Sequence, residues 1–179
     1  MNKKNKIKTE KKYPLALVIA RFQPFSENHD QLLREIVKKF NPEKLLLGIG
    51  TSGKIDGRYF LNFEEIKEII TPILENLGVE YEIKEIPDIN NPPKYGSYVE
   101  TFFPEMNEDT VQIFTDNTYT SDCFTKYGHN YKIVLPIIPS KIRATEVRDL
   151  IKNNGDWESF VPKNVAEYLK KNDCLKRFK

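Results

Sequence analysis

The sequence predicts an α/β fold: a parallel sheet of about five strands with helices flanking it. Three observations carry this expectation. Short apolar runs of strand length alternate with segments whose apolar residues recur at helical spacing. The connections between them are short and polar, as strand–helix–strand crossovers require. The chain has 179 residues, of which 39% are hydrophobic and 30% charged, and this suits one soluble globular domain with a full core.

Each element has its own local reason. Leu15-Ala16-Leu17-Val18-Ile19 is an apolar run closed by a polar loop, the pattern of a buried parallel strand. Asp30 to Phe40 sets Leu32, Leu33, Ile36, Val37 and Phe40 on one helical face. Leu45 to Ile49 is a second buried strand. Asn62 with Glu65 three residues on forms a capping box. Ile66, Ile69, Ile70, Ile73, Leu74 and Leu77 extend that helix, and Gly78 ends it. Val79–Ile86, Val111–Phe114 and Tyr131–Leu135 are expected strands, and two more helices are expected near 145–153 and 164–171. No internal repeat or second domain is visible. Residues 1–12 form a Lys-rich tail and 13–179 a single domain.

Charge sits unevenly. Residues 1–12 hold six Lys and one Glu, and 170–179 hold five basic residues and one Asp, so the body carries 17 basic against 24 acidic residues. Basicity confined to the tails argues for solubility, and no nucleic-acid partner is expected. The tail lacks the apolar core of a secretory signal, and the run Leu15–Ala20 is far too short to span a bilayer. Cys123 and Cys174 form no metal-ligand spacing and no disulfide framework. The expectation is a cytoplasmic protein without a membrane partner.

A parallel sheet binds ligands beyond the carboxyl ends of its strands, so the loops after strands one, two, three and five are the places to search. The second holds a decoy. Gly48-Ile49-Gly50-Thr51-Ser52-Gly53-Lys54-Ile55 matches G-x-G-x-x-G and nearly matches a P-loop. Ile55 replaces the required hydroxyl residue, and the next helical pattern waits until Asn62, so it reads as a flexible glycine loop. His129 reads as a surface turn residue, and Trp157, Phe102 and Phe103 as packing.

The first loop carries chemistry. Arg21-Phe22-Gln23-Pro24-Phe25-Ser26-Glu27-Asn28-His29 brings an Arg, a His and a helix N-terminus together, a combination suited to an anion. Ile142-Arg143-Ala144-Thr145-Glu146-Val147-Arg148 is the second cluster, with Thr145 as the expected cap and Arg148 one turn in. Together the clusters suggest two hands on a polyphosphate.

Further landmarks follow in order: Gly48-Ile49-Gly50, Pro87-Asp88-Ile89, Ser97-Tyr98-Val99-Glu100, Asn117, and Gly155-Asp156-Trp157-Glu158 with Val161-Pro162-Lys163. With the two clusters they make the sequence resemble the archaeal-type nicotinamide-nucleotide adenylyltransferases of the HxGH-motif nucleotidyltransferase superfamily, from Leu15 to Leu169. The resemblance implies a Rossmann-like, doubly wound domain of nucleotidyltransferase type, often assembled as a homo-oligomer. It implies AMP transfer from ATP to nicotinamide mononucleotide, giving NAD and pyrophosphate, with Mg2+ held mainly by the ATP phosphates and no protein metal site. His29 and Arg148 match the catalytic positions. Arg21, Phe22, Ser26, Arg58, Arg143 and Thr145 match ATP- and phosphate-binding positions. Tyr95 and Asn117 match acceptor-binding positions, Tyr95 standing where the family stacks a Trp on nicotinamide.

Four positions depart from the family pattern. Ser26 replaces the first motif His, Asn28 the motif Gly, Arg143 the Ser of the second motif, and Ile66 a usual Arg. Arg143 can be read as restoring the charge missing at Ser26 or as drift in a site losing catalysis. The alternatives to adenylyl transfer are a nucleotidyltransferase acting on another phosphorylated acceptor and a degenerate nucleotide-binding protein.

Overall fold

The computed structural model describes residues 13–53, 55, 56, 58–136 and 142–178. The Lys-rich segment 1–12 and Lys54 of the glycine loop lie outside the described residues. The elements run β1 (Leu15–Ala20), α1 (Glu27–Phe40), β2 (Lys44–Thr51), α2 (Phe63–Glu75), β3 (Glu80–Pro87), α3 (Pro92–Glu100), β4 (Val111–Phe114), α4 (Thr118–Thr125), β5 (Lys132–Val134), α5 (Ala144–Lys152) and α6 (Lys163–Lys171). Short 3₁₀ turns occupy Glu158–Phe160 and Cys174–Phe178.

The five strands pair in parallel in the order β3-β2-β1-β4-β5. Alternation along each strand splits the apolar side chains between two cores. Ala16 and Val18 of β1 join Leu45 and Leu47 of β2 under α1, α2, α5 and α6. Leu17, paired across the sheet with Leu46 and Ile113, joins them on the opposite face under α3 and α4. All three are fully buried, and each contributes roughly 1.5–3 kcal/mol by leaving water. The sheet is therefore doubly wound, as expected. Among the described residues no helix is long and apolar enough to cross a membrane.

Several boundaries differ from the sequence expectation. Helix α1 begins at Glu27, a turn early, because Ser26 ends the loop as its N-cap. Strand β2 runs to Thr51, so Gly48 and Gly50 belong to a strand and not to a phosphate-type loop. Gly48 is needed there by packing: a Cβ would stand 3.0 Å from Ile86 Cγ1 and 3.1 Å from Ile19 Cγ1. Pro92-Pro93 open α3, a position where the missing N–H costs nothing. Ile66 is buried in the α2 core and faces no cleft.

Candidate active site

β1 and β4 lie side by side at the centre of the sheet, and the chain leaves them toward opposite edges. The loops beyond their carboxyl ends therefore diverge and open a crevice at the topological switch point. That crevice is a cleft of about 570 Å³, inside the roughly 300–1,000 Å³ range of small-molecule sites. The loop after β4, where the resemblance places Asn117, supplies Thr115, Asp116 and Asn117 to its wall.

One wall is basic. Arg21 and Arg58 stand over the Tyr59 ring, their guanidinium carbons 5.0 and 5.8 Å from its centroid. Arg148, one turn into α5, donates from Nη1 to Gln23 O at 2.7 Å and from Nη2 to Thr145 Oγ1 at 3.0 Å. Burial loosens the Arg148 proton, and the like charges of Arg58 and Arg21 add to that effect. Three guanidinium groups so close repel one another, which is the field an anionic polyphosphate would relieve. Gln23 is locked beneath them, its side chain exchanging two hydrogen bonds with the backbone of Leu61 (2.7 and 3.0 Å).

His29 occupies the third position of α1. Its Nδ1 accepts from the Ser26 backbone N–H at 3.0 Å and lies 3.0 Å from Ser26 Oγ. An accepting Nδ1 leaves the ring proton on Nε2. The ring packs against Phe22 and Phe25, with centroids 4.9 and 5.5 Å away. Burial lowers its pKa from 6.5 to about 4, against a smaller upward pull from Asp116. At neutral pH the cleft thus holds a neutral Nε2–H donor. Phe22 makes this packing from a left-handed backbone, φ 48°, a conformation costly for a bulky residue and found where structure over-determines it.

The other wall is acidic and aromatic. It carries Asp88, Asp116, Tyr95 and Tyr119. Asp88 Oδ1 accepts from Asn90 N at 2.9 Å. Asn117 Oδ1 caps α4 by accepting from Tyr119 N at 2.9 Å and Thr120 N at 3.3 Å, which turns its amide nitrogen toward other partners. Burial, with Asp88 nearby, pushes the Tyr95 hydroxyl pKa well above its ordinary value. The Tyr95 ring is braced by Phe124 at 6.2 Å and Tyr98 at 6.4 Å.

Eight of the ten expected site residues line this cleft: Arg21, Phe22, His29, Arg58, Tyr95, Asn117, Thr145 and Arg148. Ser26 and Arg143 stand off it. Ser26 is 2% exposed and partners His29 from behind. Arg143 is exposed and is itself the N-cap of α5, its N–H donating to Glu146 Oε2 at 2.7 Å; Thr145, the expected cap, is two residues inside the helix. Asn28 reaches away from the cleft lining to donate to Ile142 O at 2.6 Å. His129 is not a surface turn residue: its side chain is 12% exposed and packs on Gly96, Ser97 and Tyr131. Asp116, Tyr119 and the supporting Tyr59 escaped the motif reading, and Asp88 and Gln23 stood within landmark motifs without being assigned to the site. The strand-end rule marks Asp116, two residues past β4, whereas the Tyr59 stack depends on long-range geometry.

No protein-family model matches the chain. It is 30% identical over 169 residues to a nicotinamide-nucleotide adenylyltransferase of Thermococcus sibiricus, covering 91% of this chain and 87% of that protein. It is 27% identical over 166 residues to the like-named protein of Methanococcus aeolicus, covering 92% of each. Among solved structures it resembles a bifunctional NMN adenylyltransferase/ADP ribose pyrophosphatase from Francisella tularensis, with TM-score 0.72 and 17% identity over 93% of this chain and 52% of that one. The same bifunctional protein complexed with AMP and a manganese ion aligns with TM-score 0.65 and 18% identity. This chain spans about half the length of those bifunctional proteins, and that likeness establishes the fold alone.

Proposed function

The chain belongs to the nicotinamide-nucleotide adenylyltransferase family, and from that premise we propose that its cleft transfers the adenylyl group of ATP to nicotinamide mononucleotide, forming NAD. The observation that carries the assignment is the convergence of Arg21, Arg58, Arg148 and the neutral His29 on one wall at the switch point. The phosphates of ATP lie along this wall. A phosphate oxygen of nicotinamide mononucleotide attacks the α-phosphorus, the bond to the β-phosphate bridging oxygen breaks, and pyrophosphate leaves with the electron pair. No side chain needs to become covalently bonded, so the protein works by alignment and by stabilising charge on the phosphoryl oxygens. His29 donates from Nε2, and Arg148, pinned by Gln23 O and Thr145, holds the leaving phosphates. The acceptor's nicotinamide rests against Tyr95, and Asn117 offers its amide nitrogen.

Mg2+ enters as the Mg-ATP substrate complex. Among the described residues no cluster of three or more His, Cys, Asp or Glu is disposed to hold a metal. We also propose a homo-oligomer, as the family resemblance implies, and a cytoplasmic location, as two cysteines with no disulfide framework suggest.

The direct test supplies Mg-ATP and nicotinamide mononucleotide and follows NAD and pyrophosphate together. Equal amounts of both are expected. Pyrophosphate without NAD, when other phosphorylated acceptors are offered, would reassign the acceptor. ATP binding with no product from any acceptor would leave a nucleotide-binding protein without catalysis.

A further inference from the structure

Residues between β2 and α2 carry Arg58, yet they form no regular structure among those described. The turn at Asp56–Tyr59 is closed on itself: Asp56 N donates to Tyr59 O at 3.0 Å, Tyr59 N to Asp56 O at 3.1 Å, and Arg58 N to Asp56 Oδ1 at 2.7 Å. Such bonds fix the shape of a turn but not its place. The residues that follow, Phe60 and Leu61, are 0% and 3% exposed and anchor the end of the turn.

Leu61 is tied to Gln23, whose carbonyl in turn accepts from Arg148. Phe60 is tied from outside the cleft, by the 3₁₀ turn that follows α6. Arg177 Nη1 donates to Phe60 O at 2.8 Å and to Glu65 Oε2 at 2.8 Å, while Nη2 donates to Glu65 Oε1 at 2.8 Å. Glu65 is not free to follow a moving partner. Its Oε2 accepts from Asn62 N at 2.9 Å and its N–H donates to Asn62 Oδ1 at 2.9 Å, so the capping box of α2 holds it. The pair is partly shielded, with side chains 32% and 16% exposed. A planar guanidinium can serve the carboxylate and the carbonyl at once, which an ammonium point charge does poorly.

We infer that Arg177 is a positioning residue for the reaction: by gripping Phe60 O and Glu65 together, it sets where Arg58 and Tyr59 stand over the polyphosphate. The inference rests on Arg58 being a phosphate ligand, as proposed above. Arg177 touches neither substrate nor the reacting atoms. It acts through the backbone two residues beyond Arg58, and Tyr59 passes the constraint to Arg21 by the shared stack.

The test measures ATP affinity by calorimetry, and steady-state kinetics, on the full chain. Arg177→Met should raise the Kd and KM for ATP about tenfold while the KM for nicotinamide mononucleotide stays within about twofold. In an Arg58→Ala background the same change should act by a smaller factor, about threefold, because one positioned group is gone and only the part passed through Tyr59 to Arg21 remains. A merely structural Arg177 would act by the same factor in both backgrounds. Tyr168→Phe, which removes the Tyr168 Oη–Glu68 Oε2 bond of 2.9 Å on the same helix α2, is the control: Tm falls and ATP affinity does not. If Arg177→Met folds poorly, Arg177→Lys keeps the ion pair with Glu65 and loses the fork, and a rise of about threefold in the ATP Kd is expected at near-native Tm. Unchanged ATP affinity in the Arg177 variants, or an undiminished effect beside Arg58→Ala, overturns the inference. Arg58→Ala that binds ATP like the parent overturns the phosphate assignment itself, a separate result.

Discussion

Replacing His29 by Gln should flatten the acid side of the stability curve. In the native chain Nδ1 receives the Ser26 N–H, and the ring is packed between Phe22 and Phe25. A protonated Nδ1 would face that N–H donor to donor. The pKa accordingly falls from 6.5 to about 4 through burial, with Asp116 pulling weakly the other way. Between those two values the unfolded chain binds a proton that the native chain refuses, so stability rises with pH and is lost on acidification. Above pH 6.5 nothing is lost, and below about pH 4 the loss is complete. The span is 6.5 − 4, or 2.5 pH units. At ~1.4 kcal/mol per unit the full loss is ~3 kcal/mol, and the part already lost at pH 5 is ~2 kcal/mol. Urea unfolding followed by Trp157 fluorescence at pH 7, 6 and 5 reads this directly. The parent should lose ~2 kcal/mol more than His29→Gln between pH 7 and pH 5. Parallel curves for the two proteins would refute the neutral-donor assignment, since His29 would then titrate in the fold as it does in the open chain.

Arg148→Lys keeps the charge but loses the fork that spans Gln23 O and Thr145 Oγ1; turnover should fall about a hundredfold in the NAD-forming assay, with the acceptor KM within about threefold. Arg143→Ser should change the ATP KM by less than about twofold, because Arg143 is an exposed N-cap off the cleft and Ser caps well; a tenfold rise would return Arg143 to the phosphates and revive charge compensation for Ser26. Gly96→Ala should cost about 1–3 kcal/mol in urea unfolding, since its Cβ would stand 2.7 Å from the His129 ring and 2.9 Å from Cys123 O.

The central strands β1 and β2 were legible because strands buried on both faces read as apolar runs. Leu15–Ile19 and Leu45–Leu47 need no partner to be recognised. Helices α1 and α2 were legible for a similar reason, since long amphipathic periods and a capping box are local signals. Helices α3 and α4 were not. Each has fewer than ten residues, with Pro, Gly, Tyr, Ser and Thr in place of strong helix formers. What makes them helices is the face of the sheet they cover, through Val99, Cys123 and Phe124, and that is a property of the fold and not of the segment. That the strand-end rule alone did not select the loop after β4 follows from the same limit: which strands become neighbours decides where the crevice opens, and strand order is not written in any one run of residues.

The site was legible where a residue type must face the ligand and obscure where it serves another residue. Arg21, Arg148 and His29 could be picked out because an anion demands such groups, and Arg58 through the family resemblance alone, and the cleft holds all four. Ser26, Asn28 and Arg143 invited a different conclusion, since motif logic assigns a missing imidazole, a blocked approach and a new charge directly to the ligand. In the fold the three share one junction behind the wall. Ser26 ends the loop before α1 and fixes His29; Asn28, in the first turn, donates to Ile142 O; and Arg143, the next residue, starts α5. Ser26 and Asn28 sit at the start of α1 and Arg143 at the start of α5, the helices that carry His29 and Arg148. The departures therefore form a linked change in the backing of the site while the groups that face the cleft keep their places. The consequence is measurable: changing Ser26, Asn28 and Arg143 together toward the family pattern should have an effect that is not the product of the three single effects, as contacts within one junction require.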